Sequence, residues 1–331
     1  MSDLFSPDAP RPQPSEFWDL AVAMLDADPH ALDDAMASMV PSTAQLVERF
    51  PELATVEVTG CNVTGPHGPV PVRSYVVPGH PVSEGLVWVH GGAFVFGNLD
   101  MLESHWVALA LAVRGIPVFA VDYRKAIGGT HFPVPSDDVF AAWQWAVDNC
   151  EIHLGVPSAH LHLGGGSAGA NLSAGVAKRL RDNGGIAPAS LVLAYGVFHH
   201  ELPTLSDELV GAVERHPNAM LFTPEHCRVI NVRFVGDEAA LSNPYAFPAN
   251  GDLAGMPPTY LLNSEADYLR ASGDLFGQQL SAAGVTVKSE FEPGTAHGHL
   301  NEAFDTAATT SIERIVWWLT PDRFDQTTRT F

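Results

Sequence analysis

Lysine is almost missing from this 331-residue chain. It occurs only at Lys125, Lys178 and Lys288, and 17 Lys and Arg together stand against 38 Asp and Glu, a formal net charge of −21. Nucleic acid and anionic membrane both require basic surface, so neither is expected as a partner. Long apolar runs are lacking too, and no segment offers the roughly 20 consecutive apolar residues that a bilayer crossing needs. The opening stretch, MSDLFSPDAPRPQP, carries acids and prolines where a secretory signal needs a basic start and an apolar run, so a cytoplasmic location is expected. Cysteine is scarce: Cys61, Cys150 and Cys227 are odd in number, far apart and without C-x-x-C spacing. That excludes a disulfide framework and leaves buried free thiols as the expectation.

What is present is an ordinary globular composition, 46% hydrophobic and 17% charged. SEFWDLAVAMLDADP and MVPSTAQLVERF carry apolar residues at helical spacing and predict two short helices. TVEVTGCNVTGPHGPVPVRSYVVPG alternates instead, broken by Gly65-Pro66-His67-Gly68, and predicts a hairpin. Beyond it, short apolar runs alternate with helical patterns. The strands expected are GLVWVHGG, IPVFAVDYR, HLHLG, ASLVLAYGVF, PPTYLLNSEAD and VTVKSEFEPG. Between them, PSDDVFAAWQWAVDNC reads as a helix with Val139, Trp143, Ala146, Val147 and Cys150 on one face, behind Ser136 as N-cap. Such alternation predicts an α/β fold with a mostly parallel, doubly wound sheet. The stretch from His199 to about Ala240 is too long for a plain connection, and insertions of that kind are usually lids or binding elements. The expected organisation is a helical cap segment over 1–50, a core over 51–198, a cap insertion over 199–240 and the rest of the core over 241–331.

HLHLGGGSAGANLSAG, residues 160–175, fits two incompatible templates. Gly164, Gly166 and Gly169 satisfy the dinucleotide fingerprint G-x-G-x-x-G; Gly165, Ser167 and Gly169 satisfy the nucleophile elbow G-x-S-x-G. A dinucleotide loop belongs after the first strand of its unit, with an acid about 20 residues on. Here the loop lies mid-chain, the next strand ends in YGVFHH with no acid in place, and no Lys-Ser or Lys-Thr follows for a P-loop. The elbow has partners in the rest of the chain. VHGGAFVFGN could present backbone amides to an oxyanion, with Gly91, Gly92 and Ala168 as the three donors, while His90 reads as structural. Asp267, with Glu265 as rival, follows one strand; His297 and His299 follow the last. The order Ser, Asp, His is that of α/β-hydrolases, and each residue follows a different strand.

Paired histidines at 160 and 162, 199 and 200, and 297 and 299 supply no compact set of three ligands, so neither a metal nor an organic cofactor is expected. Phe94, Phe96, Trp106, Met220 and Phe222 are candidate pocket walls. Phe96, Tyr195 and His199 lead among site candidates because they lie just beyond strand ends, where open α/β sheets bind ligands.

At these residues the resemblance becomes specific. HGGAFVFGN, VDYRKAIGGTHFPVPSDDV, GGSAGAN, SNPYAFP, EADYLRASG and AHGHLN resemble, in order, the motif series of the hormone-sensitive lipase family of esterases, bacterial family IV, over about residues 55–320. The resemblance implies an α/β-hydrolase fold with helices on both faces and a helical cap. It places the family's acid on Asp267 rather than Glu265 and its histidine on His297 rather than His299. The chain departs from the family at Ala93, where a third glycine is usual; at Gly166, where Asp or Thr is usual; and at Tyr268, His299, Lys125 and the IGG of residues 127–129.

The expected function is therefore a serine carboxylesterase acting on small to medium-chain esters through Ser167, His297 and Asp267, with lactones or bulky alcohol esters within its range. Its partners are an ester and water, and a homodimer is left open. The alternative is a non-catalytic small-molecule receptor on the same fold, although receptors of that kind tend to lose a triad residue and none is lost here.

Overall fold

The computed structural model describes residue 28 and residues 40–217, 219 and 222–320. The SEFWDLAVAMLDADP stretch and Met220 lie outside or almost wholly outside these. Eight strands form one sheet in the order β1-β2-β4-β3-β5-β6-β7-β8. β1 (Glu57–Gly65) and β2 (Gly68–Val76) are the expected hairpin, and β2 runs antiparallel to β4 (Val118–Val121). From β4 onward every pairing is parallel, through β3 (Gly85–Val89), β5 (Leu161–Gly166), β6 (Leu191–Ala194), β7 (Thr259–Ala266) and β8 (Val287–Ala296).

Period-two alternation explains why the middle strands read as unbroken apolar runs. Leu86 and Trp88 of β3 join one core cluster while Val87 and Val89 join another, and Val192 and Ala194 separate from Leu191 and Leu193 in the same way. Two cores on opposite faces require helices on both, which is how parallel sheets are buried. One face carries α2 (His105–Ala112) and α8 (Thr306–Leu319), whose Trp106, Leu109, Ile312 and Ile315 pack in the cluster with Trp88. The other carries α3 (Val134–Leu154), α4 (Ala168–Asn183) and α7 (Arg270–Ala282), through Trp143, Leu172 and Phe276 among others. The second expected N-terminal helix is present as α1 (Thr43–Arg49), closed by a capping box between Ser42 and Gln45.

Three expectations are corrected. α3 begins at Val134, two residues before Ser136, because Pro135 in its first turn needs no N–H partner and has φ preset for a helix; Ser136 is buried and accepts a bond from Arg179 at 3.0 Å. Cys150 and Cys227 are buried free thiols, but Cys61 is exposed, because it sits on edge strand β1, most of whose residues face solvent. Trp106 is not a pocket wall but a core residue.

The insertion holds two helices, α5 (Asp207–Arg215) and α6 (Pro224–Val235). α6 is fastened to the loop after β3 by rings: Phe234 stacks on Phe94 with centroids 3.9 Å apart and meets Phe247 edge-on at 6.0 Å. Among the described residues no helix is long and apolar enough to cross a membrane.

β5 and α4 are joined by a turn that crosses against β3. A Cβ at Gly169 would run into the carbonyl oxygens of Val89 and His90, which are backbone and cannot step aside. Gly169→Ala is therefore expected to cost about 3 kcal/mol or more through overpacking, measured by urea denaturation. A variant as stable as the parent would mean that the strand and helix can separate without penalty.

Candidate active site

β3, β5, β6, β7 and β8 are parallel, so their carboxyl ends share one edge of the sheet. The residues that follow those ends are His90, Ser167, Tyr195, Asp267 and His297. Ligands in open α/β sheets bind at this edge.

Ser167 stands between β5 and α4 with φ 51° and ψ −117°, a conformation that an L-residue rarely adopts. Its amide is held by the Ala194 carbonyl at 2.9 Å. The turn places Oγ where it donates to Nε2 of His297 at 3.0 Å, while Nδ1 of the same ring donates to Asp267 Oδ2 at 2.7 Å. Asp267 is fully buried and its other oxygen accepts the Leu269 amide at 2.9 Å, so neither oxygen depends on solvent. Phe222 and Tyr195 bracket the imidazole edge-on at 4.5 and 5.1 Å.

The rivals are engaged elsewhere. Glu265 accepts the Gly294 amide at 2.6 Å. His299 is buried between the hydroxyls of Ser264 and Ser311, each at 2.8 Å. Burial, helped by nearby His297, pushes its pKa down to about 3, so the ring stays neutral across ordinary pH. His90 is buried and stacks on Tyr123, with Nδ1 donating to the Gly91 carbonyl at 2.7 Å. Lys125, where the family has leucine, bonds Asp122 at 2.6 Å beside His90.

Of the three amides expected to face an oxyanion, one is engaged. The Gly91 N–H donates to Glu103 Oε1 at 2.5 Å, so it is already taken. No acceptor among the described residues meets the amides of Gly92, Ala93 or Ala168. Gly92, Ala93 and Phe94 follow one another with φ of 110°, 50° and 66°, the sharp curl that separates the Gly91 amide from the next two.

A cavity of about 20 Å³ opens on Ser167 and Ala168, walled by Ala93, Phe94, Val197, Phe222, Ile230 and Leu269, with Cys227 and Asn231. Of the expected pocket residues, Phe94 and Phe222 are in this wall and Phe96, Tyr195 and His199 are not. Phe96 is buried behind the loop, its amide bonded to Gly92 O at 3.0 Å. Tyr195 is fully buried and donates to Glu103 Oε2 at 2.8 Å. His199 is bonded to Ser272 Oγ at 2.8 Å, and burial pushes its pKa down to about 4. Position beyond a strand end was the signal for all three, but each side chain turns into the core. The walls from α6 were missed because they come from the insertion, which has no strand end to mark them, and Glu103 was missed because it lies outside every motif.

Among the described residues no three His, Cys, Asp or Glu are grouped to hold a metal ion. His160 and His162 share Glu84 instead, at 3.0 and 3.1 Å.

Residues 86–301 match a family profile described as alpha/beta hydrolase fold. Carboxylesterase NlhH of Mycobacterium tuberculosis is 32% identical over 242 residues, covering 71% of this chain and 72% of that one. An ethyl acetate hydrolase of Pseudomonas putida is 30% identical over 275 residues, covering 81% and 83%. An esterase of Pyrobaculum calidifontis superposes with a TM-score of 0.75 over 92% of this chain and 97% of its own, at 24% identity, a likeness of fold. With the motifs, the sheet and the profile in agreement, the chain belongs to the α/β-hydrolase family, in its hormone-sensitive lipase-like branch.

Proposed function

We propose that this ester hydrolase is a serine carboxylesterase of short-chain esters. The observation that carries the reading is the unbroken row Ser167 Oγ, His297 Nε2, His297 Nδ1, Asp267 Oδ2, with spacings of 3.0 and 2.7 Å. A hydroxyl nucleophile needs an adjacent base, and the base needs an orienting acid. In this mechanism His297 takes the proton of Ser167 as Oγ attacks the ester carbonyl. Asp267 holds the tautomer and stabilises the imidazolium. The oxyanion is taken by the amides of Gly92, Ala93 and Ala168, the last at the amino end of α4 where the helix dipole favours negative charge. His297 returns the proton to the leaving alcohol, then activates water to release the acid.

The acyl group is inferred from the cavity. Its walls are mostly apolar, and about 20 Å³ is room for about one water-sized sphere, which favours the smallest acyl group, acetyl, over butyryl and octanoyl. The Pseudomonas relative is an ethyl acetate hydrolase, and ethyl acetate is in the same size class. Residues 199–240 supply the cap in this reading; most of the other expected cap segment, 1–50, lies outside the described residues. Cys227, Ile230 and Asn231 on α6 close the cavity, so the cap sets the size limit.

Hydrolysis of 4-nitrophenyl acetate, butyrate and octanoate, with a simple lactone alongside, tests the assignment. Turnover is expected to fall by about 10⁴-fold or more in Ser167→Ala; equal inertness of both proteins would return the receptor reading. Ile230→Ala is expected to raise the octanoate-to-butyrate ratio of kcat/KM by about tenfold, as methylene-sized changes in apolar pockets do. An unchanged ratio would place the acyl chain elsewhere.

The two histidines separate by pH as well. His299 has a folded pKa of about 3 against an ordinary 6.5, so the unfolded chain binds its proton first as pH falls. Its contribution to stability is complete above pH 6.5 and is lost as pH falls towards 3. His299→Gln should keep activity within about threefold and flatten the fall of Tm in acid, whereas His297→Gln should abolish turnover. Loss of turnover in both would make His299 part of the proton path.

A further inference from the structure

Glu103 lies between β3 and α2, only 2% exposed. A carboxylate withdrawn from water is destabilising unless its lone pairs are matched by donors. Here they are: Oε1 accepts the Gly91 amide at 2.5 Å, and Oε2 accepts the Tyr195 hydroxyl at 2.8 Å and Asn301 Nδ2 at 3.3 Å. The backbone is tied in as well, its N–H donating to Asn301 Oδ1 at 3.1 Å and its carbonyl accepting from Trp88 Nε1 at 2.7 Å. Burial and the neighbouring Glu103 charge hold the Tyr195 pKa well above its ordinary value, so this hydroxyl remains a donor.

The partners lie in three different loops of the active site. Gly91 precedes Gly92 and Ala93, whose amides meet no acceptor among the described residues. Tyr195 packs its ring against His297. Asn301 also donates to Gly298 O at 3.2 Å, on the residue after His297. One buried side chain therefore ties the oxyanion loop to the loop that carries the base.

The same carboxylate accounts for the glycine before the nucleophile. A Cβ on Gly166 would come within 2.5 to 2.9 Å of Cδ and both oxygens of Glu103. Gly166 is not among the residues of positive φ, so its backbone would accept a side chain. It is the space that is already filled.

We propose that Glu103 is a positioning residue for ester hydrolysis at Ser167. Its carboxylate occupies the side-chain place of residue 166 and pins the Gly91 amide, and this fixes the curl that leaves the Gly92 and Ala93 amides free beside the nucleophile. The inference rests on Ser167 being the nucleophile. It assigns Glu103 no proton and no contact with substrate.

The test uses Glu103→Ala, Gly166→Asp and the double variant in the full chain, with 4-nitrophenyl butyrate as substrate, a fluorophosphonate to count reactive serine and a trifluoromethyl ketone as tetrahedral analogue. Glu103→Ala should still label Ser167 stoichiometrically, with kcat lower by about 10²-fold, KM nearly unchanged and ketone affinity lost in proportion, the pattern of a weakened oxyanion site. Gly166→Asp alone should be as impaired, since two carboxylates then crowd one place. The double variant should regain about tenfold of the lost kcat, because the carboxylate is returned from the other side of the gap. Glu103→Ala that is folded and has unchanged kcat and ketone affinity would overturn the proposal. Should Glu103→Ala not fold, Glu103→Gln carries the test: its shape is retained, and a fall in kcat at an unchanged Tm is expected, whereas full activity would overturn the assignment. Absence of fluorophosphonate labelling in the parent protein would instead defeat the reading of Ser167 itself.

Discussion

The turn between β5 and α4 is the constraint from which the site follows. To aim Oγ of Ser167 away from the sheet, the backbone takes φ 51° there, a position that costs on the order of 1–3 kcal/mol for a non-glycine residue. Such strain persists only where surroundings over-determine it. They do so here: the Ser167 amide is bonded across to β6, the Ala170 and Asn171 amides bond back to the Ser167 carbonyl, and Gly169 lets α4 lie against the ends of β3. Parallel pairing from β4 to β8 then brings the ends of the other strands to the same edge. Asp267 and His297 reach Ser167 because the sheet delivers them, without any long excursion of chain.

Burial determines how the polar groups around that turn must be arranged. In a low-dielectric interior an unmatched carboxylate is costly, and a matched one is held hard. Asp267 uses one oxygen on His297 and the other on an amide; Glu103 uses both on three loops. The two acids serve different ends of the same geometry. Asp267 orients the ring that accepts the Ser167 hydrogen bond, while Glu103 is bonded to the glycine that precedes two amides with no acceptor among the described residues.

The sheet was readable from the chain because both-face burial leaves a local signature. GLVWV, LVLA and TYLLNSEA are apolar runs short enough to be strands and are separated by helical periods. Ser167, Asp267 and His297 were readable because each lies within a few residues of a strand end in a motif. What could not be read is side-chain direction. Tyr195 follows β6 as Ser167 follows β5, yet it turns into the core to meet Glu103. Gly91 and Gly92 are adjacent glycines of one motif, yet the Gly91 amide is bonded to Glu103 while that of Gly92, at positive φ, meets no acceptor among the described residues. Glu103 and Asn301 meet across 198 residues of sequence, and nothing in either segment announces the other.

The insertion and the loop after β3 are joined by aromatic packing. Phe94, the residue after Ala93, stacks on Phe234 of α6 at 3.9 Å, and Phe234 in turn packs against Phe132 and Phe247. Aromatic contacts of this kind are worth about 0.5–1.5 kcal/mol beyond their buried area, and together they make Phe94 a shared wall of cavity and cap. The helix that supplies Ile230 and Cys227 to the cavity is thus anchored on the loop whose Ala93 shares that cavity with Ser167. A displacement of α6 that widens the cavity must either break the Phe94–Phe234 stack or move the loop with it. Cavity width and the geometry of the loop after β3 are consequently linked, and the link passes through a residue held at φ 66°, with little conformational slack to absorb the movement.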